Sequence, residues 1–138
     1  SLQEFNTKTR FDLIVSNPPF YAKNKSQQRR DIARHTNNLS FEELIQNTVN
    51  LLSEQGIFSA IIPKDSEDTF CKIAALNKLY CNRICYIKGN EKSEVKRVML
   101  EFSFLKSKTI TEHLTIEKLR HQYTDKYIQL CKDFYLKM

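Results

Sequence analysis

Asn17, Pro18, Pro19 and Phe20 follow directly on the apolar segment FDLIVS, and Tyr21 comes next. An asparagine side chain offers one amide oxygen as acceptor and an NH2 group as donor. Pro18 and Pro19 have no N–H and stiffen the backbone, so a carbonyl placed there stays where it is put. Phe20 and Tyr21 add flat faces beside those acceptors. Acceptors next to an aromatic plate suit a planar ring bearing an exocyclic amino group. The ring stacks, and the amine donates to the Asn17 oxygen and the Pro18 carbonyl. Both amino hydrogens are then held aside and the nitrogen lone pair points in a third direction. Group transfer to such an amine needs orientation and electrostatics and no strong base. The plainer reading of the same residues is a loop after a strand, with Phe20 packed on the core.

The elements that must position this motif follow from the pattern around it. The segment at 11–16 is nearly continuous in apolar residues, which suits a strand buried on both faces of a parallel sheet. In open α/β sheets ligands bind beyond the carboxyl ends of the strands, which is where the motif sits. A basic polar stretch follows, from Lys23 to Asn38. Ser40 and Glu43 form an S-x-x-E capping box. Phe41, Leu44, Ile45, Thr48, Val49 and Leu52 then mark one face of a helix, with Gly56 expected to end it. Strands are expected at 57–62, closed by Pro63, and at 83–88, with a helix over 66–80 between them. The segment 89–96 reads as a polar turn. Strict alternation over 97–105 predicts a strand antiparallel to 83–88. A short edge strand is expected around Leu114 to Ile116, and an amphipathic helix over Thr124 to Leu136.

This alternation of strands and helices predicts one α/β layered domain over the 138 residues. Lysine and arginine number 22 against 16 aspartates and glutamates, a net charge of +6 that permits an acidic partner such as nucleic acid. The four cysteines contain no C-x-x-C pair and the three histidines are scattered, so buried reduced thiols are expected and no metal site. With no long apolar run and no signal pattern, a soluble cytoplasmic protein without membrane contact is expected.

SNPPF after FDLIV resembles the (D/N)PP(Y/F) motif of S-adenosyl-L-methionine-dependent amino-group methyltransferases. Adenine-N6, guanine-N2 and glutamine-N5 enzymes share that motif. RRDIARH, then LSFEELIQNTVNLLSEQGIFSAIIP, KRVMLEFS and YTDKYIQLCKDFYLKM together are similar to the bacterial tRNA(Val) adenine-N6 methyltransferase family, over nearly the whole chain. The resemblance implies that Asn17 and Pro18, with Pro19, hold the target amine and that Phe20 stacks on a flipped adenine. Tyr21 lines the same pocket. Lys23, Lys25, Arg29, Arg30 and Arg34 form a basic wall for tRNA phosphates, within a substrate loop at 22–38 that is expected to be poorly ordered without RNA. The alternative for these cations is a solvated loop, and His35 reads as a polar loop residue.

The chain departs from the family in one respect. A glycine-rich turn after a first strand and an acidic residue ending a second strand are needed for the cofactor. Gly56 and Gly89 are the two glycines, and neither is placed for that role. The fold expected is therefore the C-terminal half of a Rossmann-like class I methyltransferase: a mixed sheet with an antiparallel last strand and without the cofactor half. Asn17 is the one residue expected to touch the cofactor, and the chain alone is expected to be inactive. Guanine-N2 transfer on rRNA, glutamine-N5 transfer on protein and a non-catalytic RNA-binding module remain open. Lacking a neighbour on one side, the strand at 11–16 is expected to be an exposed edge through which the chain self-associates.

Overall fold

The structure is a computed structural model that describes residues 9–18 and 40–135. Among these, the strands β1 (Phe11–Ser16), β2 (Leu52–Pro63), β3 (Tyr80–Asn90), β4 (Val95–Ser103), β5 (Ile110–Leu119) and β6 (Gln122–Tyr123) form one mixed sheet. Its order is β1-β2-β4-β3-β5-β6. The helices are α1 (Phe41–Leu51), α2 (Glu67–Leu76) and α3 (Asp125–Cys131). β1 and β2 are parallel, as are β3 and β5, while β4 runs antiparallel between β2 and β3.

The capping box closes as the sequence requires. The Ser40 hydroxyl accepts from the Glu43 amide at 3.1 Å and the Glu43 carboxylate accepts from the Ser40 amide at 2.9 Å. Two orphan donors of the first turn are thereby satisfied. Leu44, Ile45 and Thr48 turn inward from α1, and Phe70 and Ala74 from α2. They meet Phe58, Ala60 and Ile62 of β2 and Val98, Leu100 and Phe102 of β4 on one face of the sheet. The period-2 alternation of both strands makes that face continuous.

Gly56 does not end α1. Leu52 is the C-cap, already extended at φ −77° and ψ 137°, and it is buried in the core as the first residue of β2. The helix stops because Leu52 is drawn onto the sheet. Gly56 instead lies where the β1–β2 register slips, between the pairs Phe11↔Leu52 and Leu13↔Ile57. A Cβ there would stand 2.8 Å from Leu52 Cγ and 2.9 Å from the Phe11 carbonyl oxygen. The hydrogen is needed for close backbone approach. Beside it the Ser53 hydroxyl donates to Asp12 Oδ1 at 2.6 Å.

Two further expectations are corrected. β1 is not buried on both faces: Leu13 and Val15 are 60% and 71% exposed, while Ile14 packs on the core. Among the described residues its one ladder is to β2. β5 is not a short edge strand but ten residues long, paired in parallel with β3 from Arg83↔Ile110 to Asn90↔Glu117. Asn82 makes this crossover possible. Its amide donates to Ser103 Oγ and to the Leu105 carbonyl, both at 2.8 Å, and its Oδ1 accepts from the Ser107 amide at 3.1 Å. The loop that carries the chain past the start of β3 is thus tied down chiefly by Asn82, with Ser103 Oγ donating to the Leu105 carbonyl and Thr109 Oγ1 to the Cys81 carbonyl. The strands around the expected β3–β4 turn also extend further than expected, to Asn90 and from Val95, and α3 is shorter, ending at Cys131.

Candidate functional site

The strands β1, β2, β3 and β5 all run in one direction, so Ser16, Pro63, Asn90 and Leu119 end at the same side of the sheet. Asn17 and Pro18 leave β1 at that side. The pair Ser16↔Ala60 sets them level with Ile61 and Ile62 of β2. Pro18 is buried and Asn17 is exposed. An anchored proline thus holds the backbone behind an amide side chain that is free to meet a ligand. Pro19, Phe20, Tyr21, Lys23, Lys25, Arg29, Arg30, Arg34 and His35 lie outside the described residues, as does the whole of the 22–38 loop.

Val15, Ser16 and Asn17 also wall a trough of about 630 Å³ on the second face of the sheet, floored by Ile61 and Met99. α3 flanks it with Leu130. Its far end is charged. Arg83 Nε donates to Glu112 Oε2 at 2.5 Å, and this guanidinium holds the Glu112 carboxyl below the usual carboxylate range. Lys126 Nζ donates to the His113 carbonyl at 2.8 Å, which ties α3 to β5.

A second polar cluster stands just beyond β2. Tyr86 OH donates to the buried Glu67 at 2.9 Å, and Lys64 Nζ lies 2.9 Å from the same carboxylate. Burial, then the bond to Glu67, pushes the Tyr86 phenol up. The same carboxylate raises Lys64. Glu67 is therefore engaged on both sides and serves to fix α2 on β3. The four cysteines are free thiols, partly buried where the sequence predicts buried ones. Cys71 and Cys81 share a hydrogen bond that raises the former and lowers the latter. Among the described residues no group of three or more His, Cys, Asp or Glu side chains is arranged to hold a metal, and no helix is long and apolar enough to cross a membrane.

The described residues do not make a full cofactor site. Gly56 serves the β1–β2 approach and Gly89 sits near the end of β3, so neither opens a helix after a strand.

No family model matches the sequence. Curated relatives do. The chain is 40% identical over 139 residues to the tRNA1(Val) (adenine(37)-N6)-methyltransferase of Christiangramia forsetii, covering 99% of this chain and 58% of that protein. It is 48% identical over 130 residues to the enzyme of the same name from Flavobacterium psychrophilum, covering 93% of this chain and 56% of that one. The chain thus spans somewhat more than half the length of the curated relatives it matches. In fold it is similar to Agrobacterium tumefaciens Atu636, described as a predicted O-methyltransferase, with a TM-score of 0.63 at 17% identity over 88% of this chain and 51% of that one. It is also similar to a modification subunit of a putative type I restriction enzyme from Vibrio vulnificus, with a TM-score of 0.51 at 16% identity over 96% of this chain and 32% of that one. The sequence match and the fold agree: the chain is similar to tRNA1(Val) (adenine(37)-N6)-methyltransferases over somewhat more than half of their length, and its mixed sheet shares its fold with solved methyltransferase structures.

Proposed function

We propose that the intact polypeptide carrying this sequence transfers a methyl group from S-adenosyl-L-methionine to the N6 amine of an adenine in tRNA, in the cytoplasm, and that this chain supplies the side that holds the amine. The observation that carries the reading is the placement of Asn17 and Pro18: an exposed amide on a buried proline, at the carboxyl end of a parallel strand. The Asn17 oxygen and Pro18 carbonyl accept from the two amino hydrogens, and Phe20 stacks on the base. The cofactor is held by the part of the relatives' length that this chain does not span, so the 138-residue chain alone transfers no methyl group. The names of the relatives support adenine over guanine or glutamine as the acceptor.

Incubating the intact polypeptide with methyl-labelled cofactor and tRNA, then digesting to nucleosides, tests this. Label in N6-methyladenosine is the expected result. Label in N2-methylguanosine, or on a protein glutamine, overturns it.

The β1 edge supports a separate expectation for the isolated chain. Leu13 and Val15 are exposed, and among the described residues β1 has a ladder to β2 only, an arrangement that invites pairing with a second copy. Light scattering should show mass rising with concentration, and Leu13→Lys, which places a charge on the edge, should suppress it. A strictly monomeric chain at high concentration rejects the idea.

A further inference from the structure

The hairpin joining β3 to β4 projects beyond the candidate site. Ser16 pairs with Ala60, and Ala60 with Leu100, so Pro18 stands level with Val98. β2 ends one pair later, at Pro63↔Arg97. The hairpin continues past that level through Lys96 and Val95 to its turn, a rise of about 10 Å at the spacing of a strand. Its tip is built, not loose: Asn90 Oδ1 accepts from the Lys92 amide at 3.0 Å, and the Asn90 carbonyl accepts from the Ser93 amide at 3.1 Å.

The hairpin carries Lys88, Lys92, Lys96 and Arg97 against Glu91 and Glu94. Lys92, Lys96 and Arg97 are exposed. The ion pairs among the described residues engage Lys64, Arg83 and Lys118, and none engages these four cations. No large apolar side chain of the hairpin is exposed. A protein partner draws its affinity from buried aromatic and apolar anchors, which this surface lacks. A phosphodiester backbone needs only positioned cations.

We propose that the β3–β4 hairpin is an RNA-binding element, with Lys92, Lys96 and Arg97 taking backbone phosphates of the RNA whose target base sits at Asn17 and Pro18. This rests on the reading of the site given above and adds a second set of phosphate contacts to those expected of the 22–38 segment. The hairpin fixes where the strand lies; Asn17 and Pro18 act on one amine.

The test compares two triple variants of the 138-residue chain. One carries Lys92→Ala, Lys96→Ala and Arg97→Ala. The other removes the same charge at the opposite end of the sheet, with Lys78→Asn, Lys106→Ala and Lys108→Ala. Asparagine is used at 78 because the backbone there is left-handed, with φ 62°. Affinity for fluorescently labelled tRNA is measured between 50 and 200 mM salt. Each lost phosphate contact lowers the slope of log K against log salt by about 0.7–0.9. The hairpin variant should therefore lose about two units of slope and roughly a hundredfold in affinity near 0.1 M salt, and the control should change little. Equal losses in both variants, or an unchanged slope in the first, overturn the proposal. If the triple variant does not fold, Lys92→Glu, a single change in the turn outside the strand ladder, should still lower the slope, and no change there overturns the proposal equally. Adenine methylation by the intact polypeptide with an unchanged hairpin slope rejects the hairpin alone. A hairpin-dependent slope with methylation at guanine rejects the adenine assignment and leaves the hairpin standing.

Discussion

Asn17→Ala in the intact polypeptide is expected to lower kcat about a hundredfold while tRNA affinity stays nearly unchanged. In the proposed role the amide oxygen would contribute one hydrogen bond to a base also held by stacking and by phosphate contacts, so ground-state binding would barely depend on it. Its effect, in that role, would be on the direction of the amine lone pair. An interaction realised only as the methyl group moves is lost from kcat and from kcat/KM equally. Asn17→Asp keeps an acceptor of the same reach and should recover part of the loss, whereas bulk packing alone gives no reason for recovery. Because Asn17 is exposed and Pro18 provides the buried anchor, the alanine variant should melt as the parent does. Single-turnover methylation alongside a binding titration separates the two quantities. Near-normal turnover in the alanine variant would show that the amine is held by something else.

The second large effect is on stability. Phe58, Phe70 and Phe102 are fully buried and in mutual contact, with ring centroids 5.8 Å apart for Phe58–Phe102, 5.7 Å for Phe70–Phe102 and 6.4 Å for Phe58–Phe70. Phe41 meets Phe70 edge-on at 5.0 Å. This cluster joins α1, α2, β2 and β4 at one point. Phe102→Ala removes its member on the central strand and should cost about 3–5 kcal/mol, from lost transfer energy plus the cavity left behind. Against a total of about 5–15 kcal/mol for a domain, that is a large share. The urea midpoint should fall in proportion, with an unchanged m-value. Phe102→Leu, which keeps most of the volume, should lose much less. A cost under about 1 kcal/mol for the alanine variant would mean that the core collapses freely around the gap.

What could be read in the sequence was what the chain encodes locally. Ser40 and Glu43 sit three residues apart before an apolar face, and the capping box they predict is formed. Val98, Leu100 and Phe102 alternate, and all three are buried. The place of Asn17 at a strand end followed from its position after an apolar run. The misreadings share a cause, which is dependence on distant partners. Gly56 has the look of a helix stop, but its meaning is set by the Phe11 carbonyl, more than forty residues away. β5 interleaves Ile110, Leu114 and Ile116 with charged residues and looks weak until β3 and α3 are placed beside it. Asn82 shows no pattern at all, because its partners lie in the crossover it secures. The hairpin cations were visible as a polar turn. Only the strand directions, which no local pattern states, put that turn on the same side of the sheet as Asn17.

The one-sided ladder of β1 has a consequence for amide hydrogen exchange. β4 is paired on both sides, by β2 and by β3, and opens only when the sheet comes apart. Among the described residues β1 is joined on one side, to β2, through a register broken between Phe11 and Leu13. Its amides therefore exchange through local fraying at a free energy well below that of global unfolding. Asn17 and Pro18 are carried by this readily detached strand. Anything that docks along the side of β1 away from β2, another copy or the remainder of a longer polypeptide, would slow exchange there first and steady the Asn17 amide to which the acceptor-orienting role is proposed.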